Sequence, residues 1–219
     1  MRMRRFLWSA GLLAVVGLGT GCAHDEATQA RIRGEKVGEA FAQKVRFADQ
    51  LSLLNQEQIV LGHIALKQSN DPEVRRFAQE LIRDHQRNQD DLETLAESKT
   101  MSLAMVDLST QELGTGGAGA EGIKRGVEKG DEKYNKKYDE QVMEFIEKRN
   151  ALAGLSGREF DRAFLAEVKR GQEWGEKLVD EGLDDFRDDT TLAVFLGRTA
   201  PVIDSHQHQV ETLKGFIGD

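Results

Sequence analysis

Four polar residues sit where apolar ones belong. Gln58 lies between Leu54 and Leu61 on a helical stripe. His85 follows Phe77, Leu81 and Ile82 in register. Gln172 follows Phe160, Phe164 and Val168, and His206 follows Val202 and Ile203. Each belongs to a different helix, so packing at a common height would bring all four to the centre of a helical bundle, where such folds build metal and cofactor sites. Histidine ligates metals and carries protons near neutral pH. The bland alternative is structural. Glutamine and neutral histidine each offer a donor and an acceptor, so the four could satisfy one another and hold the helices in register. A di-iron bundle asks for Glu on two helices and Glu-x-x-His on two others. Here Ile82 and Ile203 stand three residues before the histidines, and no carboxylate falls on a stripe. Glu57, Asp84 and Glu173 are neighbours of the four, but one residue turns about 100° round a helix, away from the centre. Amides are poor metal ligands. The structural network is therefore the expected role, with a divalent-metal site on His85 and His206 as the competing one. His63 and His208 are off the stripes and read as solvated. No Ser–His–Asp, C-x-x-C or H-E-x-x-H arrangement is present, so the chain reads as non-enzymatic.

The elements that must position these side chains are helices. Apolar residues recur at i, i+3, i+4 spacing from Val37 to Gln68 and from Pro72 to about Ser98. Between them, Asn70-Asp71-Pro72 stops one helix and caps the next, because Asp71 can accept its first amides and Pro72 needs no N–H there. Such a short connection predicts an antiparallel pair. A third bundle helix starts at Ser156, which with Glu159 spells a capping box and with Leu155 and Phe160 a hydrophobic staple. Its Trp174 reads as half-buried. A fourth helix starts near Thr190, with Pro201 expected to kink or restart it. Between the second and third lies an apparent insertion, about residues 99–153. It is a Gly-rich loop followed by an extra amphipathic helix carrying Tyr134, Tyr138, Val142, Phe145, Ile146 and Leu152. Gly114 to Gly119 match the letters G-x-G-x-x-G, but no strand precedes them, so they read as loop.

The remaining signals concern compartment. Met1 to Arg5 is basic and Phe6 to Leu18 is apolar, a stretch too short to span a bilayer and typical of a signal peptide. It ends in Leu18-Gly19-Thr20-Gly21-Cys22, which resembles the lipobox at which bacterial lipoproteins are cleaved and lipidated. The expected division is a signal peptide at 1–21, lipidation at Cys22, a polar tether at 22–36 and a bundle domain at 37–219. Cys22 is the only cysteine, so no disulfide forms within the chain. The formal charge of −8 falls to about −11 once the three arginines of residues 1–21 are removed, since no acid leaves with them. So acidic a chain excludes general nucleic-acid binding, and a lipid rather than charge must hold it at a membrane. The place expected is the bacterial cell envelope, facing the periplasm or the cell surface, with a protein as the further partner.

LGHIALKQSNDPEVRRFAQELIRDH at 61–85, LSGREFDRAFL at 155–165, and Pro201 followed by His206 together resemble an exported bacterial family called domain of unknown function 4142. The resemblance implies a ferritin-like, up-down four-helix bundle and no established activity. It also implies a glutamate where this chain has Gln58 and a histidine where it has Gln172, while His85 and His206 match. If relatives bind metal at these positions, this chain has exchanged an anionic ligand and an imidazole for two amides.

Overall fold

A computed structural model describes residues 21–106, 108 and 132–218. Among them there are five helices and no strand: α1 (Gly21–Gln68), α2 (Pro72–Ser98), α3 (Glu132–Ala153), α4 (Gly157–Asp185) and α5 (Thr190–Ile217). The protein is thus an all-α helical bundle. It divides into two compact units, one up to Ala40 and one from Phe41. In the first, the segment expected to be a tether continues as helix. Its residues 31–40 are exposed, with Arg31 and Glu35 paired at 3.7 Å. Residues 1–20 of the expected signal peptide, the G-x-G-x-x-G letters and most of the Gly-rich segment lie outside the described residues, as does the side chain of Cys22. No described helix is long and apolar enough to cross a membrane.

In the second unit the core has two apolar halves. One gathers Leu61 and Ala65 from late α1, Val74, Phe77 and Leu81 from early α2, Phe160, Phe164 and Val168 from early α4, and Val210 and Leu213 from late α5. The other gathers Val45 to Leu51, Leu92 to Ala96, Leu178 and Val179, and Leu192 to Ile203. These memberships fix direction. α1 and α5 run one way, and α2 and α4 run the other. The order along the chain is therefore up-down-down-up, and between α2 and α4 the chain must cross back to the end at which α2 began.

α3 makes that return. At its start, Tyr134 Oη donates to the Arg46 carbonyl at 2.8 Å. At its finish, Gln68 Nε2 donates to the Ala153 carbonyl at 3.1 Å. Tyr138, Val142, Phe145, Ile146 and Leu152 are buried in the first apolar half. The approach to α3 is tied down as well. Met101, Val106 and Leu108 are buried, Ala104 N donates to Asp49 Oδ1 at 2.7 Å, and Val106 N donates to Gln56 Oε1 at 3.0 Å. The apparent insertion is thus the crossover that a bundle with parallel middle helices needs.

The caps follow the sequence in part. Asp71 Oδ1 accepts from Glu73 N and Val74 N at 2.8 and 3.1 Å. Ser156 does cap α4, but its side chain makes no capping hydrogen bond, so the box spelled by Ser156 and Glu159 is not closed. Pro201 neither ends nor restarts α5. It deprives the Gly197 carbonyl of a partner, and Gly197 is exposed, so water can replace the lost bond.

Candidate functional site

The two apolar halves leave a belt between them, and the four polar residues occupy it. Gln58, His85, Gln172 and His206 are each at most 3% exposed. Gln172 Nε2 donates to Gln58 Oε1 at 3.1 Å and lies 3.1 Å from His85 Nε2. On the other side of the ring, His85 Nδ1 is 2.9 Å from Asn55 Oδ1. Asn55 Nδ2 is already committed as a donor to Asn88 Oδ1 at 3.0 Å, which makes Asn55 Oδ1 the acceptor. His85 therefore carries its proton on Nδ1 and accepts at Nε2. The chain of donors goes on through Asn88 Nδ2 to Thr199 Oγ1 at 2.6 Å, and from Thr199 to the Phe195 carbonyl at 3.1 Å. A branch leads through Gln89 to Ser52 at 3.1 Å. The links run from 2.6 to 3.1 Å, apart from a weak 3.5 Å contact from Asn55 to Gln89.

His206 stands beside this network rather than in it. Its ring centre is 5.3 Å from that of His85, and Phe77 meets it edge-on at 6.0 Å. Neither ring nitrogen has a hydrogen-bond partner among the described residues. Asp84 Oδ2 comes within 3.4 Å of Nε2, close enough for charge attraction but not for a well-made hydrogen bond. So Asp84 reaches back toward the belt, contrary to the helical-wheel expectation. The wheel places only the Cα–Cβ direction, and a carboxylate two bonds further out is not confined to it.

Burial, then the neighbouring His206, hold the His85 pKa well below the usual imidazole value. Burial also lowers that of His206, with Asp84 and Glu80 pulling against it and Arg83 reinforcing it. Both rings are therefore neutral at neutral pH. Gln172 Oε1 is a further buried atom with no partner among the described residues. No described group of three or more His, Cys, Asp or Glu side chains is placed to hold a metal ion.

Sequence reasoning missed several members. Asn55, Asn88, Gln89 and Thr199 share the belt, and Asn55 and Gln89 sit at helical spacing from Gln58 and His85, which could have revealed them. Carboxylates do lie on the buried stripes, contrary to the sequence expectation. Asp49 and Asp161 are buried, at 6% and 4% exposure. Asp49 is absorbed by the crossover amide of Ala104, a contact invisible to periodicity. His63 and His208 are exposed and Trp174 is partly buried, as their positions implied.

Beside Gln58 the belt opens outward. Gly171 presses against it so closely that a Cβ there would stand 2.0 Å from Gln58 Nε2. Both line a cleft of about 180 Å³ between α1, α3 and α4, with Glu57, Leu61, Gln141, Glu144, Phe145, Lys148, Glu167, Arg170 and Trp174. Burial pushes the Glu57 carboxyl up to about 8. Lys148 opposes that shift, while Glu144 and Glu167 add to it.

No curated protein and no solved structure matches this chain significantly. A family model described as a domain of unknown function, DUF4142, matches residues 34–213, which takes in α2 to α4, most of α1 and α5, and the whole belt. The chain belongs to that family.

Proposed function

We propose that the protein is a lipid-anchored envelope protein whose bundle is a non-enzymatic scaffold, acting through protein–protein contacts or in stress protection. The observation that carries this reading is the hydrogen-bonded chain that ties the helices together across the belt: Gln172 links Gln58 to His85, and His85 meets Asn55, as in a register-fixing network. Anchoring rests on the basic, apolar and small-residue succession before Cys22. The test is fractionation of the full-length protein expressed in bacteria, with palmitate labelling. The wild type should pellet with membranes and carry label, and Cys22→Ser should lose both. An unlabelled, soluble wild type would reject the anchor.

A second reading is a metal-binding or oxidoreductase bundle, and one observation favours it: two facing imidazoles, one of them with both nitrogens unpartnered and a carboxylate nearby. Elemental analysis of the purified mature protein separates the two readings. Stoichiometric iron, zinc or manganese, lost in His206→Ala, would favour the metal site over the scaffold.

A further inference from the structure

We propose that the cleft between α1, α3 and α4 binds a small planar amide: an uncharged group that both donates and accepts hydrogen bonds, carried on an aromatic or apolar body. The inference goes beyond the scaffold reading and does not depend on it.

The cleft wall carries unmet hydrogen-bonding capacity. Gln58 is 1% exposed. The only hydrogen bond its side chain makes among the described residues is the one its Oε1 accepts from Gln172. Its Nε2 is left as a donor beside Gly171, at the cleft wall. Gln141 lines the same cleft and holds a buried Oε1 with no partner among the described residues. A buried acceptor is seldom left so, and with the unused Gln58 donor on the same cleft the two call for a ligand that offers both an acceptor and a donor.

Charge narrows the class. The lining holds three acids and two bases. Lys148 pairs with Glu144 on α3, and Arg170 with Glu167 on α4. Glu57 alone lacks a paired base. Glu57 is half-buried and burial pushes its carboxyl up to about 8, so at pH 6.5 it mostly keeps its proton and presents one O–H and one C=O beside two internally paired charge couples. A carboxyl in that form is complementary to an amide. An ammonium or a carboxylate would leave the cleft with an unbalanced charge, at a desolvation cost. Leu61, Phe145 and Trp174 supply apolar walls, and a site of this size suits a single ring, since an apolar cavity of about 150 Å³ holds one benzene.

Three molecules of one shape test it: benzamide, benzoate and benzylamine, titrated into the full-length protein and followed by amide chemical shifts of Gln58, Gln141 and the Trp174 indole. Benzamide should bind at millimolar concentration or better, shift those signals, and outbind both charged analogues at least tenfold at pH 6.5. Gln141→Leu should weaken benzamide tenfold or more. Glu57→Gln, which keeps a neutral donor and acceptor, should retain it and hold it to pH 9, where the wild type loses it. Tighter binding of benzylamine would overturn the proposal in favour of a cation site, and tighter binding of benzoate in favour of an anion site. No binding of any of the three at 10 mM would also overturn it, as would shifts confined to residues outside the cleft.

Discussion

At the scale of single residues, the belt separates two histidines that the sequence makes look alike. His85 spends both nitrogens on protein partners, and His206 spends neither. Replacing His85 with Leu strands Asn55 and Gln172, at roughly 1–3 kcal/mol for each buried group left unsatisfied. His206→Leu breaks no hydrogen bond and should cost clearly less, about 1 kcal/mol, when both variants are compared by urea denaturation. The lowered pKa values of these rings also set an acid limit. The folded state prefers them neutral, so their contribution is intact above pH 6.5 and is lost as pH falls below it. While both remain neutral only in the folded state, stability should fall by up to about 1.4 kcal/mol per pH unit for each ring, and His206→Leu should halve that slope. Glu57 has the opposite sign. Its folded-state pKa of about 8 means that stability declines as pH rises from about 4.5 to 8. In melting curves across that range, Glu57→Gln should flatten the decline and raise Tm at pH 8.

At the scale of elements, the helices are held at their ends by groups from other helices. Asp189 caps α5 through Leu192 N at 3.3 Å. It also receives Lys44 of α1 at 2.7 Å and Lys99, just beyond α2, at 2.9 Å. Burial alone would raise its pKa, but these three donors outweigh burial and hold it at about 2. Its contribution is therefore complete above pH 4 and lost as pH falls toward 2. Asp189→Ala removes a cap and leaves two ammonium groups partly buried. It should cost about 2–4 kcal/mol at pH 7, read by denaturant unfolding. Mid-helix glycines set how close the elements come. A Cβ at Gly182 would meet the Phe47 ring at 2.3 Å and Leu196 at 2.8 Å, so Gly182→Ala should destabilise, by about 1–3 kcal/mol, although alanine is the better helix former.

At the scale of the whole molecule, the middle two bundle helices run parallel, so the chain between them must cross the bundle's length. α3 does so over 22 residues, about 33 Å at 1.5 Å each. A six-residue Gly-Ser linker in place of residues 100–155 reaches only about 22 Å even when fully extended. That replacement should abolish cooperative unfolding in circular dichroism, whereas a removable insertion would leave the transition in place. A gentler test is Leu108→Ala. Leu108 is 2% exposed, and the truncation should cost about 2–4 kcal/mol if this stretch is core.

Much of this was legible in the chain itself. Helix class, the Asp71–Pro72 break and the four polar intruders on apolar stripes depend on local spacing, and a period of 3.6 residues shows in one dimension. What the tertiary structure decided is what those side chains meet. Which histidine is hydrogen-bonded, how Asp84 bends back to His206, why Glu57 keeps its proton, and which way α4 runs all depend on groups far apart in sequence. Their distances are set only when the helices pack, because solvent exclusion and hydrogen-bond geometry belong to the assembled core and to no single segment of it.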